Sequence, residues 1–505
     1  MRTFIRLLIV LLSSVAIDSV AVRAAENPHD RPAREWSAIH NDFYWTDQNG
    51  ARILTRSGCL CKFGDTFYWY GGNPRGFREQ YCYSSKDLTH WTNHGVILRH
   101  DTDANRIDVA YNDKTRQYVM VLKYDGNGAY LGIATSDKPD GPFTFKSQTL
   151  VDDARMGDMS IFKDDDGTLY LAYVSWATGI NMQHGIYRFA PNYLTLDKRI
   201  YLWDIPHREG NHIFKRNGIY YYGTSKTAGI QSSATAYYTA KKLDGPWSDP
   251  KPLPTPGSNN SWDSQVDFVY PFKGTKGTVY MFAGDRWLKD VPKGRNGDYV
   301  WLPLGFDGDE PKLNYYQDWE LNLQTGEWRP FDPARNLAAG KSAAASSSVN
   351  GNLAGNVTDT TTYENYASTF WESDLSDSQW ISIDLGKPTE VNRVILKWGT
   401  QAAKSFKIQV SLDNATWKEV FDTTIGSSYT VTDETFPTTT ARYVRMNATE
   451  RATIPFRGFG RFGRGNRTQS ATAPATQAEV APATAPATAP KPTGYVLFDF
   501  QVLKD

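Results

Sequence analysis

Polar side chains recur at one point of a repeating pattern. The stretches NRIDVAYN (105–112), MGDMSIF (156–162), REGNHIF (208–214) and SWDSQVDFVYPF (261–272) each set an acid or amide beside an apolar, aromatic run. They place Asp108, Asp158, Glu209 and then Asp263, Gln265 and Asp267 at comparable positions. The matching RSGCLCKF (56–63) has no acid. Taken singly, each acid suits a solvated or hydrogen-bonded turn. Taken together, they point to carboxylates facing one cavity. Clustered carboxylates raise one another's pKa by repulsion and desolvation. That keeps one of them protonated at neutral pH as a proton donor.

The elements that would position these groups repeat. A polar Gly, Asp or Asn turn followed by an aromatic-rich strand begins near residues 62, 111, 162, 214 and 272. The copies include KFGDTFYWYGG, FKDDDGTLYLAYVSW and FKRNGIYYYGTSK. Their turn chemistry reads as β-hairpins, and a further strand-and-turn unit follows each. Four strands per repeat is a propeller blade, so the prediction is an all-β fold with a five-bladed β-propeller over 36–330. The innermost strand of each blade would bring its polar residue to a central cavity.

Composition narrows the ligand. Lys+Arg and Asp+Glu both number 55, which argues against a nucleic-acid binder. Aromatics are 14% of the chain, which suits strands and also sugar-stacking platforms. Residues 1–25 read as a signal peptide: a basic start, an apolar run through Leu12, and small residues at Ala21 and Ala24. No later apolar run is long enough to span a membrane. The expected location is secreted or periplasmic, and the expected state a monomer. Cys59, Cys61 and Cys82 are too few for a disulfide scaffold; Cys82 pairs with one of the others, or all three are buried thiols. An uncharged exported chain with a cavity of acids and aromatics implies a neutral oligo- or polysaccharide. Glycoside cleavage uses a protonated acid at the leaving oxygen and a second group that activates water or attacks carbon. Opposite blades suit the wider separation of an inverting pair, roughly 6.5–9.5 Å.

A second domain is predicted over 336–505. SQWISIDLG, EVNRVILKWG, SFKIQVSLDNATWKEV and ARYVRMNAT alternate as strands of a β-sandwich (jelly roll). An insertion at 451–493, rich in Arg and Gly and then in Ala, Pro and Thr, cannot form a core and reads as disordered. GYVLFDFQVLKD should return to the sandwich.

Over about 40–330 the chain resembles glycoside hydrolase family 43, a family of five-bladed inverting enzymes, in its exo-β-1,3-galactanase (galactan 1,3-β-galactosidase) branch. YWYGG, CYSSKDLTHW, GDMSIFKDDDGTLYLAY, EGNHIFK, DSQVDFVYP, AGDRW and YVWLPL carry the likeness. It implies that Glu209 is the general acid and that Asp158 tunes its pKa. It implies that Gln265, standing where the usual aspartate base is missing, acts as base or positions the water. On the residues alone, Asp263, Asp267 or Asp108 are also candidates for the base. The resemblance makes Trp287 a stacking platform and Asp285 a hydroxyl acceptor, with Arg286 between them at the substrate wall. Asn105 replaces a substrate-contacting glutamate of relatives, and Asp108 and Asp263 complete the expected sugar-binding set. Arabinofuranosidase or xylosidase activity, or a non-catalytic glycan-binding propeller, are the alternatives.

The second domain is similar to the coagulation factor 5/8 type C (discoidin) sandwich, also called carbohydrate-binding module family 32. NLAAGKSAAASS, FWESD, QWISIDLG and ARYVRM carry this likeness. It implies a structural Ca²⁺, with Asp359, Thr362 and Asp499 as ligands. No cofactor is expected for the chemistry itself.

Overall fold

The computed structural model describes residues 34–505 apart from 74–76, 125–128, 176–181, 230, 288–296, 360–368 and 453–492. The predicted signal peptide (1–25), Thr362 and nearly all of the predicted insertion (451–493) lie outside the described residues.

The first part is a β-propeller. Five sheets have four strands each, antiparallel and in chain order. Their first strands are Arg56–Phe63, Ala104–Asn112, Met156–Lys163, Arg208–Arg216 and Gln265–Lys273. These strands pack one against the next, and the fifth packs against the first, which closes a ring. The sheets are here called blades one to five. A further sheet of three strands joins Ser37–His40 to Asp318–Asn322 and Glu327–Pro330. The expectation of five blades is therefore corrected to six. The sixth escaped notice because it is assembled from both ends of the domain and contains no copy of the aromatic hairpin repeat. Asn41, next to its first strand, fixes that junction. Its amide donates to the Trp301 and Tyr316 carbonyls (2.9 Å each) and accepts from Trp301 N–H (2.9 Å).

Aromatic packing between neighbouring sheets supplies much of the core. Trp69 and Trp301 are buried with ring centroids 4.7 Å apart, and Trp45 and Trp91 close around them. Large rings of this kind each bury roughly 150–250 Å².

One irregularity shared by blades one to five matters for the site. Each first strand breaks register once near its start: between Arg56 and Cys59, Asn105 and Ile107, Met156 and Met159, Glu209 and His212, and Val266 and Phe268. A β-bulge re-aims a side chain and kinks its strand. Ser57, Arg106 and Gly210 have positive φ at these points (51°, 49° and 61°).

The second part is one seven-stranded antiparallel sheet, sandwich-like because its two long strands change register along their length. These strands are Gln379–Trp398 and Val431–Arg451. Val496–Leu503 returns to pair with both Trp371–Glu372 and Gln379–Trp398, as the sequence led one to expect. Buried ion pairs tie this sheet to the sixth blade. Arg393 reaches Glu320 (3.0 Å), Asp433 (2.6 Å) and Asp505 (2.7 Å), while Lys397 reaches Asp318 (2.7 Å).

Candidate active site

The bulges bring polar groups of different blades together. Arg106 of blade two donates to Asp158 of blade three (3.0 Å) and to Asp267 of blade five (2.6 Å). Blades two and five are not neighbours in the ring, so these residues meet at its centre. Gln265 of blade five donates through Nε2 to Glu209 Oε1 of blade four (3.0 Å) and to Ser225 Oγ (3.2 Å). Ser225 Oγ donates in turn to the Glu209 carbonyl (3.1 Å). Trp287 Nε1 donates to Gln265 Oε1 (2.8 Å). The structure thus unites Asp158, Glu209, Gln265, Asp267 and Trp287.

The electrostatics separate two neighbouring carboxyls. Burial raises the pKa of Glu209, and the charge of Asp158 raises it further; Arg106 and the Gln265 hydrogen bond oppose this without cancelling it. Burial works against ionisation of Asp158 too. There Arg106, Lys123 and the Gly210 N–H (2.9 Å from Oδ2) prevail, and the carboxyl sits below its ordinary range. The two carboxyls are pushed apart, Glu209 up and Asp158 down, which is the division of labour acid catalysis requires.

A second acid pair lies behind. Burial, then the charge of Asp285, pushes Asp267 well above the usual carboxylate range. Asp285 is raised by burial and stabilised by Arg56 and by the Ser57 N–H (2.8 Å). The interaction between the two carboxyls raises Asp267 further and works against the rise of Asp285.

Other predicted positions serve different ends. Asp108 accepts from Ile161 N–H (2.8 Å), and burial pushes it up to about 7. It stitches the first strands of blades two and three and does not join the Glu209 network. Asp263 accepts from Asn260 Nδ2 (3.1 Å) in a turn where Ser261, Trp262 and Asp263 all have positive φ. Asn105 stands across from Lys123 in blade two. Arg286 corrects the reading of a substrate-wall residue. It is fully buried, ion-paired to Asp42, and anchors the chain just before Trp287. Asp285 is likewise buried, 1% exposed, and faces protein.

Arg106, Ser225 and Arg56 were not singled out by the sequence reading. An arginine inside NRIDVAYN carries no motif; only the bulge, with its positive φ, reveals where it goes. The three cysteines are free, with Cys59 and Cys61 Sγ 3.9 Å apart.

For calcium, Asp499 accepts from Gln501 Nε2 (2.6 Å) and faces the Lys397 ammonium at 3.9 Å. Asp359 is near enough to raise its pKa, though burial is the larger cause. Among the described residues no group of three His, Cys, Asp or Glu side chains could hold a metal. The Lys397 ammonium occupies the side of Asp499 from which a cation would have to be held.

Residues 57–282 match the family model described as Glycosyl hydrolases family 43, and residues 342–457 match the F5/8 type C domain. The chain therefore carries a family 43 glycoside hydrolase domain followed by an F5/8 type C domain. A β-D-galactofuranosidase of Aspergillus niger is 31% identical over 208 residues, 36% of this chain. The match spans 59% of that relative's length. Among solved structures, an exo-β-1,3-galactanase of Phanerochaete chrysosporium with β-1,3-galactotriose superposes with a TM-score of 0.53 at 21% identity. It covers 92% of this chain and 100% of its own. An exo-β-1,3-galactanase of Clostridium thermocellum gives 0.54 at 22%, covering 82% and 97%. At these identities the structures share the fold.

Proposed function

We propose that this chain is an exported, exo-acting, inverting glycoside hydrolase acting on β-1,3-galactan and arabinogalactan side chains. Glu209 is the general acid: its proton passes to the glycosidic oxygen as the bond to the anomeric carbon breaks. Water attacks that carbon from the opposite face, and its proton passes to Gln265 if the side chain acts as base or to bulk solvent if it only positions the water. Gln265 serves that step as base or by positioning the water, and the charge of Asp158 adds to the burial that raises the pKa of Glu209. The observation that carries this reading is the ionised Asp158, held by Arg106 at 3.0 Å, beside a raised Glu209 that meets an amide and not a second carboxylate. The F5/8 type C domain is read as a glycan-binding module.

The test is release of reducing sugar from β-1,3-galactan, with the anomer of the first product read by NMR. Glu209→Gln should lower kcat roughly 10²- to 10⁴-fold while the protein stays folded. Unchanged turnover in that variant rules out the acid assignment. A furanosidase acting on galactofuranosyl or arabinofuranosyl groups is the second reading, favoured by the Aspergillus niger relative. The same assay on furanoside substrates separates the two. A protein that binds galactan without cleaving it would be a non-catalytic propeller.

A further inference from the structure

Three of the four hydrogen-bonding positions of the Gln265 side chain are committed within the protein. Its carbonyl oxygen accepts from Trp287 Nε1 at 2.8 Å. Its nitrogen donates to Glu209 Oε1 at 3.0 Å and to Ser225 Oγ at 3.2 Å. Gln265 is only 3% exposed, so water offers it little alternative. An indole N–H is only a donor. It therefore fixes which end of the amide is oxygen and sends the NH₂ group toward Glu209. Trp287 is itself fixed. The fully buried Arg286 precedes it, and the Arg56 guanidinium lies over its ring, 5.1 Å from the centroid, while bonded to Asp298 at 3.1 Å.

We propose that Trp287 is a positioning residue: its indole N–H locks the Gln265 amide so that Nε2–H occupies Glu209 Oε1 and leaves the acid's proton on Oε2. This rests on the reading of Glu209 as the general acid. It replaces the stacking role that the resemblance implied for Trp287. An imidic-acid form would leave Nε2 one hydrogen, too few for its bonds to both Glu209 and Ser225, so in this arrangement Gln265 is an amide. Its service to the water is one of position.

Trp287→Phe separates the two roles, since phenylalanine keeps a ring face and loses the N–H. On the full chain acting on β-1,3-galactan oligosaccharides, the variant should lose kcat about tenfold, the value of one hydrogen bond. KM should stay within about twofold, because no sugar contact has been removed. Without the locking bond the amide can turn from Glu209, so the basic limb of the kcat profile should move to higher pH. On a Gln265→Ala background Trp287→Phe should cost nothing further, the mark of a pair acting as one unit. A Trp287→Phe profile that matches wild type overturns the proposal, as does a rise in KM at constant kcat, which a sugar platform would give. Full activity in Glu209→Gln, or no hydrolysis by wild type, instead overturns the proposed function. A crystal structure of Trp287→Phe then decides the lock: Gln265 Nε2 still on Glu209 refutes it, and a turned amide sustains it.

Discussion

Arg106 joins Asp158 to Asp267 across the centre of the propeller, 3.0 Å from one carboxylate and 2.6 Å from the other. Its charge stabilises Asp158 as an anion, and that anion raises Glu209. Asp158→Asn removes the anion while keeping an oxygen for the Gly210 N–H. Glu209 then loses the anion that raises it and still faces Arg106, so its pKa falls. The basic limb of kcat/KM should shift to lower pH, and activity at pH 7 should fall roughly tenfold or more. A pH–rate series on a galactan oligosaccharide checks this; an unmoved basic limb would dissociate Asp158 from the acid.

Gly210 lies in the bulge that aims Glu209, with φ +61°. A Cβ there would stand 2.6 Å from Ser225 Oγ, the atom that links Gln265 to the Glu209 backbone. Gly210→Ala should cost about 1–2 kcal/mol for the left-handed backbone, and should also displace Ser225. Gly218→Ala is the control, since φ is +74° there and a Cβ meets nothing within 4 Å. Both variants should melt earlier, but only Gly210→Ala should lose kcat out of proportion. Equal activities would show that the bulge does not place the acid.

The three thiols offer a simple check on the packing of blade one. Cys59 and Cys82 are buried, and burial raises the pKa of both. A thiolate is the reacting species, so a disulfide reagent at mildly alkaline pH should leave both untouched in the native protein. In denaturant, without reductant, all three cysteines should react. A count of one would reveal a disulfide.

Much of this architecture was legible because blades one to five declare themselves through turn chemistry and aromatic strands. Shared position brought Glu209, Asp158 and Gln265 forward together with Asp108, Asp263 and Asp267; only the family resemblance set the three apart, and the structure joins Glu209 to Gln265 directly. Asp108 lies past the bulge, in the paired part of its strand opposite Val121, and accepts from Ile161 N–H, so it belongs to the strand-to-strand packing. Arg106 and Ser225 were illegible: their places depend on register breaks and on contacts 52 and 40 residues away in sequence or more. The sixth blade pairs segments about 280 residues apart, a pairing no local pattern reports.

The junction between the propeller and the F5/8 type C domain should respond to pH from both sides. His40 lies between Asp318 (2.6 Å from Nδ1) and Asp433 (3.1 Å from Nε2). Burial opposes its charge, but the two carboxylates prevail and raise its pKa above 6.5. Lys397 also faces Asp318, and Arg393 and Arg34 also face Asp433. The stabilisation from His40 is thus complete below about pH 6.5 and is lost as pH rises through the raised value. Asp318 runs the opposite way. Burial opposes its charge, but Lys397 and His40 hold it down at about 2. Its contribution is present above the ordinary aspartate value and lost as pH falls toward 2. Thermal melts should therefore peak at mildly acidic pH, and His40→Asn should flatten the decline on the alkaline side. Arg393→Met should lower the melting temperature at any pH in that range, because it removes the buried guanidinium shared by Glu320, Asp433 and Asp505; Arg34, His40 and Arg335 still face those carboxylates, so the cost should stay below the roughly 3 kcal/mol of a fully unpaired buried charge. A melt that is indifferent to Arg393→Met would mean that these ion pairs do not hold the two parts together.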